Sequence, residues 1–170
     1  MTADNEMKAR NKVFDLIKDI KFAMMVTQDT DGQMYSRPMA AQQKDITDAR
    51  NELWYFTSKD SPKVSEIKAN AAMLVSYSNP DSNDYVSLSG TAEIVSDKSK
   101  IDELWNDSLS VWFPQGKDDP NICLIKFKPE SAEYWDAPSS KFVHAYGYVK
   151  AKLTGEQPEA GENKKVRLAS

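Results

Sequence analysis

The feature that most limits the fold is a series of short apolar runs, each closed by turn-forming residues. "FAMMVTQ" (22–28) runs into "DTDG", and Met34 to Gln42 reads as the returning strand. "ELWYFT" (52–57) is rich in aromatic residues that suit a pleated strand. "AMLVSYS" (72–78) meets the turn cluster "NPDSND", and "YVSLSGTAEIV" (85–95) has period-two character. Two more strands are expected near Cys123 to Phe127 and Ser131 to Trp135, separated by "KPE". Helical spacing is confined to three places. Asp4 to Ile20 carries Met7, Val13, Phe14, Ile17 and Ile20 at three- and four-residue steps, a short helix follows Ser61-Pro62 up to Asn70, and another covers Ser99 to Trp105. Strands that outnumber helices and lie close together predict a mainly β (α+β) chain, an antiparallel barrel with short helices packed outside. A doubly wound fold is excluded, because there is no G-x-G-x-x-G, no Walker phosphate loop and no alternation of strand with long helix.

Length and charge bound the function. At 170 residues and 40% hydrophobic, the chain is expected to form one globular unit over residues 1–153, with a polar tail from 154 to 170. Lys and Arg total 22 against 26 Asp and Glu, a net charge of -4, which argues against a nucleic-acid surface. The single cysteine, Cys123, lies in the apolar run "NICLIKF" and reads as a buried structural thiol. The single histidine, His144, removes His-rich metal sites and reads as structural or surface. No apolar run reaches the roughly 20 residues of a membrane span, and the polar N-terminus has no secretion signal, so a cytoplasmic location is expected.

The candidate site lies where a strand runs into a helix. In "FTSKDSPKV" (56–64), Lys59 and Lys63 flank a helix start that already carries partial positive charge, so lysine there is unfavourable unless an anion sits nearby. Solvated lysines are the simple reading; a bound phosphate is the sharper one. Thr57 and Ser58 offer hydroxyls, and a charge-assisted hydrogen bond of about 1.5–3 kcal/mol outweighs the roughly 0.3–1 kcal/mol cost of the misplaced cation. In "MYSRPMAAQ" (34–42), Pro38 cannot donate to a ladder and belongs at an edge or a break, where Arg37 can meet an anionic or aromatic ligand or simply point to solvent.

"SRPM", "FTSKDSPKVSEIKANAAMLVSYS" and the "LSGTAEI" strand, in that order, resemble the flavin-binding split barrels related to pyridoxamine phosphate oxidase, most closely the general stress protein branch. "EYWD" and "GENKKVRL" look typical of that branch. The resemblance implies a six-stranded antiparallel split barrel, a homodimer, and FMN, with FAD as the alternative, in grooves at the dimer interface. It matches Arg37, Pro38 and Met39 to the strand along the isoalloxazine, and Thr57, Ser58 and Lys63 to the phosphate and ribityl contacts. Lys59 and Ser61 are further candidates in the same loop. Trp112, Phe113 and Trp135 either cover the ring or pack in an interface or core. The closing "RLAS" is similar to the "RLAP" of the oxidases, but the stretch before it lacks their accompanying tryptophan, so oxidation of that vitamer is not implied. Two functions follow: a flavin-dependent oxidoreductase acting on a small molecule, with no catalytic base named by the sequence, or a protein that binds, senses or buffers flavin without turnover.

Overall fold

The computed structural model of the chain describes residues 3–42, 52–136, 150, 152–155 and 161–168. His144 and the connector at 44–51 lie outside them. Seven strands form one antiparallel sheet: β1 (Ala23–Gln28), β2 (Met34–Met39), β3 (Leu53–Ser58), β4 (Ala72–Asn79), β5 (Asp84–Val95), β6 (Ile122–Asp136) and β7 (Glu162–Arg167). The order is β2-β1-β4-β5-β6-β3, with β7 added to β6. The helices that accompany them include α1 (Ala3–Ile17), α2 (Pro62–Ala69) and α3 (Lys98–Leu104), with a short 3-10 helix at Asp107–Val111. The fold is thus a split barrel left open between β2 and β3, with seven strands where six were expected.

Local chemistry sets each boundary. The β1–β2 turn closes on Asp29, whose Oδ1 accepts from the backbone of Asp31 and Gln33, while Gly32 takes the positive φ of 84° that the turn requires. Proline at the first turn and Ser61 as N-cap start α2, since neither needs an intrahelical donor there. Asn70 ends it, and its Oδ1 takes the backbone N–H of Ala72. Asp97 caps α3, accepting from the backbone of Ser99 and Lys100.

Two buried clusters hold the elements. The larger lies inside the barrel, where Met25, Tyr55, Val75, Leu88 and Phe127 meet Val13, Phe14 and Ile17 of α1. The smaller lies outside β3 and β6, where Phe56, Ile122 and Leu124 meet Ile101 and Leu104 of α3. Each fully buried side chain of this size contributes roughly 1.5–3 kcal/mol.

Several sequence expectations are corrected. Met7 is exposed, and α1 ends at Ile17 rather than Ile20. The "KPE" stretch does not separate two strands: β6 is continuous through it, because a register shift places Pro129 opposite Gly90 and leaves Glu130 as the extra residue. Gly90 is required there, since a Cβ on it would sit 2.0 Å from the Lys128 carbonyl oxygen. The segment expected to be a polar tail supplies β7, which buries Val166; Leu168, just past its end, is also buried and donates its N–H to the carbonyl of Glu130. Cys123 is buried and unbridged, and burial pushes its thiol pKa up, as suits a structural thiol.

Candidate functional site

The split in the barrel is where chemistry-bearing residues collect. Strands β2 and β3 are the two ends of the main sheet path and, among the described residues, share no ladder; a bond from the Gln42 N–H to the Trp54 carbonyl, 2.9 Å, links the chain just past β2 to β3. A cleft of ≈ 370 Å³ opens between them. Arg37, Pro38 and Met39 line it from β2, Phe56, Thr57 and Ser58 from β3, and Lys63 from the first turn of α2. Pro38 is tolerated in the sheet because β2, among the described residues, is an edge strand paired with β1.

Lys63 sits half-buried at the floor. Its Nζ donates to Ser61 Oγ at 2.6 Å and to Thr57 Oγ1 at 3.1 Å. Among the described residues no carboxylate lies within ion-pair distance of it. Burial, and next the Arg37 guanidinium, hold its pKa below the ordinary lysine value, with Glu66 and Cys123 pulling weakly the other way. A desolvated ammonium that has only hydroxyls for company has room for an anionic oxygen, so the donor set fits a phosphate ester.

Arg37 is placed quite differently. It occupies the β2 position opposite Met25, and its Nη2 forms a 2.8 Å ion pair with Glu66 Oε2 of α2. Its Nη1 donates to Thr27 Oγ1 and, at 3.5 Å, to the Met25 carbonyl; the Thr27 hydroxyl donates to Glu66 Oε2. Thr27 is 1% exposed and Glu66 8%. Sequence reasoning missed both. A threonine inside an apolar strand and a glutamate on a short helix carry no sign that an arginine will join them.

The remaining expected residues divide. Phe113 is buried against Phe56, ring centroids 6.2 Å apart, and lines the cleft from within. Trp112, 73% exposed, stands on its rim. Ser61 reaches the site through its bond to Lys63. Lys59 does not line the cleft; its Nζ donates to the Pro120 carbonyl at 2.7 Å. Trp135 lies opposite Tyr85 of β5 and Asn163 of β7 and does not line the cleft of its own chain. A wider groove of ≈ 420 Å³ crosses β5, β6 and β7, but it sets Glu130 and Glu133 beside Lys165 and Arg167 and so favours neither charge.

An antiparallel split barrel with an anion-ready cleft at its opening defines a class of ligand-binding barrels. The chain belongs to the pyridoxamine 5'-phosphate oxidase like family, whose model matches residues 8–159. General stress protein 26 of Bacillus subtilis is 29% identical over 136 residues, covering 78% of this chain and 92% of its own. A solved structure from a Jannaschia species, described as a general stress protein 26, superposes with a TM-score of 0.74 at 28% identity, over 95% of this chain and 99% of that one. The general stress FMN/FAD binding protein of Xanthomonas citri gives a TM-score of 0.66 at 27% identity, over 78% and 92%. Within that family the chain is similar to proteins named general stress protein 26.

Proposed function

We propose that the cleft between β2 and β3 binds a flavin nucleotide, FMN in preference to FAD, with the phosphate on Lys63, Thr57, Ser58 and Ser61. The isoalloxazine lies along Arg37, Pro38 and Met39. The observation that carries this reading is Lys63, a half-buried cation whose partners are two hydroxyls. The flavin-binding relative from Xanthomonas citri supports it. Titration calorimetry with FMN, riboflavin and FAD tests it: FMN should bind tightest, and absence of heat with all three sinks it.

The cleft works best as a shared site. Residues directly opposite each other in adjacent strands share a face, so Met24, Val26, Leu74 and Pro38 stand together on the outside of β1, β4 and β2. Met24 is 42% exposed, and Met34, at the far end of the same face, 60%. An exposed apolar sheet face beside an open cleft suits a second copy of the chain. Trp135, which is remote from its own cleft, and Trp112 are then placed to cover the ring across the interface. Gel filtration at two concentrations should give a dimer.

The redox step of a flavin-dependent oxidoreductase would come from the flavin, with the chain supplying position and charge. The alternative, binding without turnover, uses the same cleft and the same Lys63 contacts. Steady oxidation of a reduced nicotinamide by the flavin-loaded protein supports catalysis; tight binding without turnover supports the storage or sensing role.

A further inference from the structure

Glu66 follows Lys63 by three residues on α2, a spacing at which a lysine and a glutamate ordinarily face each other. Here they do not pair. The Glu66 carboxylate instead takes the Arg37 Nη2 at 2.8 Å and the Thr27 hydroxyl, and Lys63 turns to Thr57 and Ser61. The cleft therefore has two cations in unlike states. One is paired with a buried anion, the other is not.

We propose that Glu66 is a specificity-determining residue: a buried countercharge that offsets Arg37 in part, so that the cation an anionic ligand meets without a carboxylate beside it is Lys63 at the α2 end of the cleft. The identity of the ligand rests on the flavin reading above; the electrostatics apply to any phosphate ester. Such a cleft has polarity. A ligand with phosphate at one end and a neutral ring at the other enters in one orientation, because the carboxylate beside Arg37 makes the β2 wall the less cationic of the two. Without the carboxylate, Arg37 becomes a second free cation, and charge acts over several ångströms in a partly desolvated site.

The test compares FMN with riboflavin, which differ by the phosphate alone, so that effects on ring contacts cancel in their ratio. Glu66→Gln keeps an acceptor oxygen and similar volume while removing the charge. The preference for FMN over riboflavin should rise about tenfold, equivalent to about 1.4 kcal/mol. Arg37→Gln, which leaves the carboxylate uncancelled, should lower the preference, and the double variant should return it near the wild-type value. A residue that only supports the fold would change the melting temperature and leave the ratio alone. An unchanged or reduced preference in Glu66→Gln overturns the proposal. If Glu66→Gln does not fold, comparison of the double variant with Arg37→Gln decides the matter, because removing the same charge must raise the preference by the same factor. Inorganic phosphate provides an arm independent of flavin: it should raise the melting temperature of Glu66→Gln more than that of the wild type, and equal increments overturn the proposal. A wild-type chain that binds no flavin refutes the function proposed above and leaves the phosphate arm to judge Glu66.

Discussion

Arg37 and Lys63 face one cleft from opposite sides, and the contrast between them shows how a fold separates holding from binding. Arg37 has three partners, Glu66, Thr27 and the Met25 carbonyl, and its charge is paired inside the protein. By reaching over β1 to α2 it also pins the edge strand. Lys63 has two hydroxyls and a lowered pKa, so its charge is held at a cost and is available to a ligand. The first cation should matter most to stability and the second most to affinity.

Substituting each by methionine should break the pair most visibly. Arg37→Met leaves Glu66 buried without its cation, a change worth about 3–5 kcal/mol. At roughly 2–4 °C per kcal/mol for a domain of this size, the ligand-free melting temperature should fall by about 10 °C. Lys63→Met removes a partly desolvated charge that has no carboxylate partner, so it should leave the melting temperature unchanged or slightly higher. Thermal denaturation of the two variants side by side checks this; equal losses would erase the contrast.

Lys63→Glu sharpens it from the side of affinity. Loss of a charge-assisted hydrogen bond of about 1.5–3 kcal/mol, with repulsion added, should weaken FMN by more than about a hundredfold. Riboflavin should lose far less, since it has no phosphate to repel. Unchanged FMN affinity in a folded variant would remove Lys63 from the site. Thr57→Val is milder: it deletes the hydroxyl that receives Lys63 at 3.1 Å and should cost about 1 kcal/mol, roughly fivefold in FMN affinity, with little change in melting temperature.

How far the sequence foretells this arrangement depends on whether a signal is local. Strand β4 and the turn after it are legible because alternation and Asn-Pro-Asp chemistry act within a few residues. The "FTSKDSPKV" segment is legible for the same reason, since strand, Ser N-cap, Pro and lysine are contiguous. Strand β7 is not. "ENKKVR" is almost wholly charged or polar, and only Val166, with Leu168 two residues on, marks an inward face. Its pairing with β6 depends on a bulge more than 30 residues earlier, whose extra residue offers the carbonyl that Leu168 takes. The Arg37–Glu66 pair is silent for a related reason. Its members are 29 residues apart, and only the stacking of α2 beside β1 brings them together.

The smallest effect, and the one that ties the two properties of Lys63 together, is with pH. Burial first, and then Arg37, depress its pKa below the value of 10.5 that it regains on unfolding. Between those two values the unfolded chain holds more protons than the folded one, so the stability contributed by this group rises with pH across the window and is lowest below it. Ligand affinity must run the other way. The second ionisation of a phosphate ester has its midpoint near pH 6, so above pH 7 the phosphate stays largely a dianion while the lysine titrates, and FMN binding relative to riboflavin should weaken as pH climbs through the lowered pKa. Calorimetric titrations from pH 7 to about 10 should therefore show affinity declining while the ligand-free melting temperature does not follow it down, and Lys63→Met should flatten the affinity profile. An affinity that stays constant beyond 10.5 in the wild type would mean that the ammonium holds no phosphate, and the two cations would then differ only in their neighbours, not in their work.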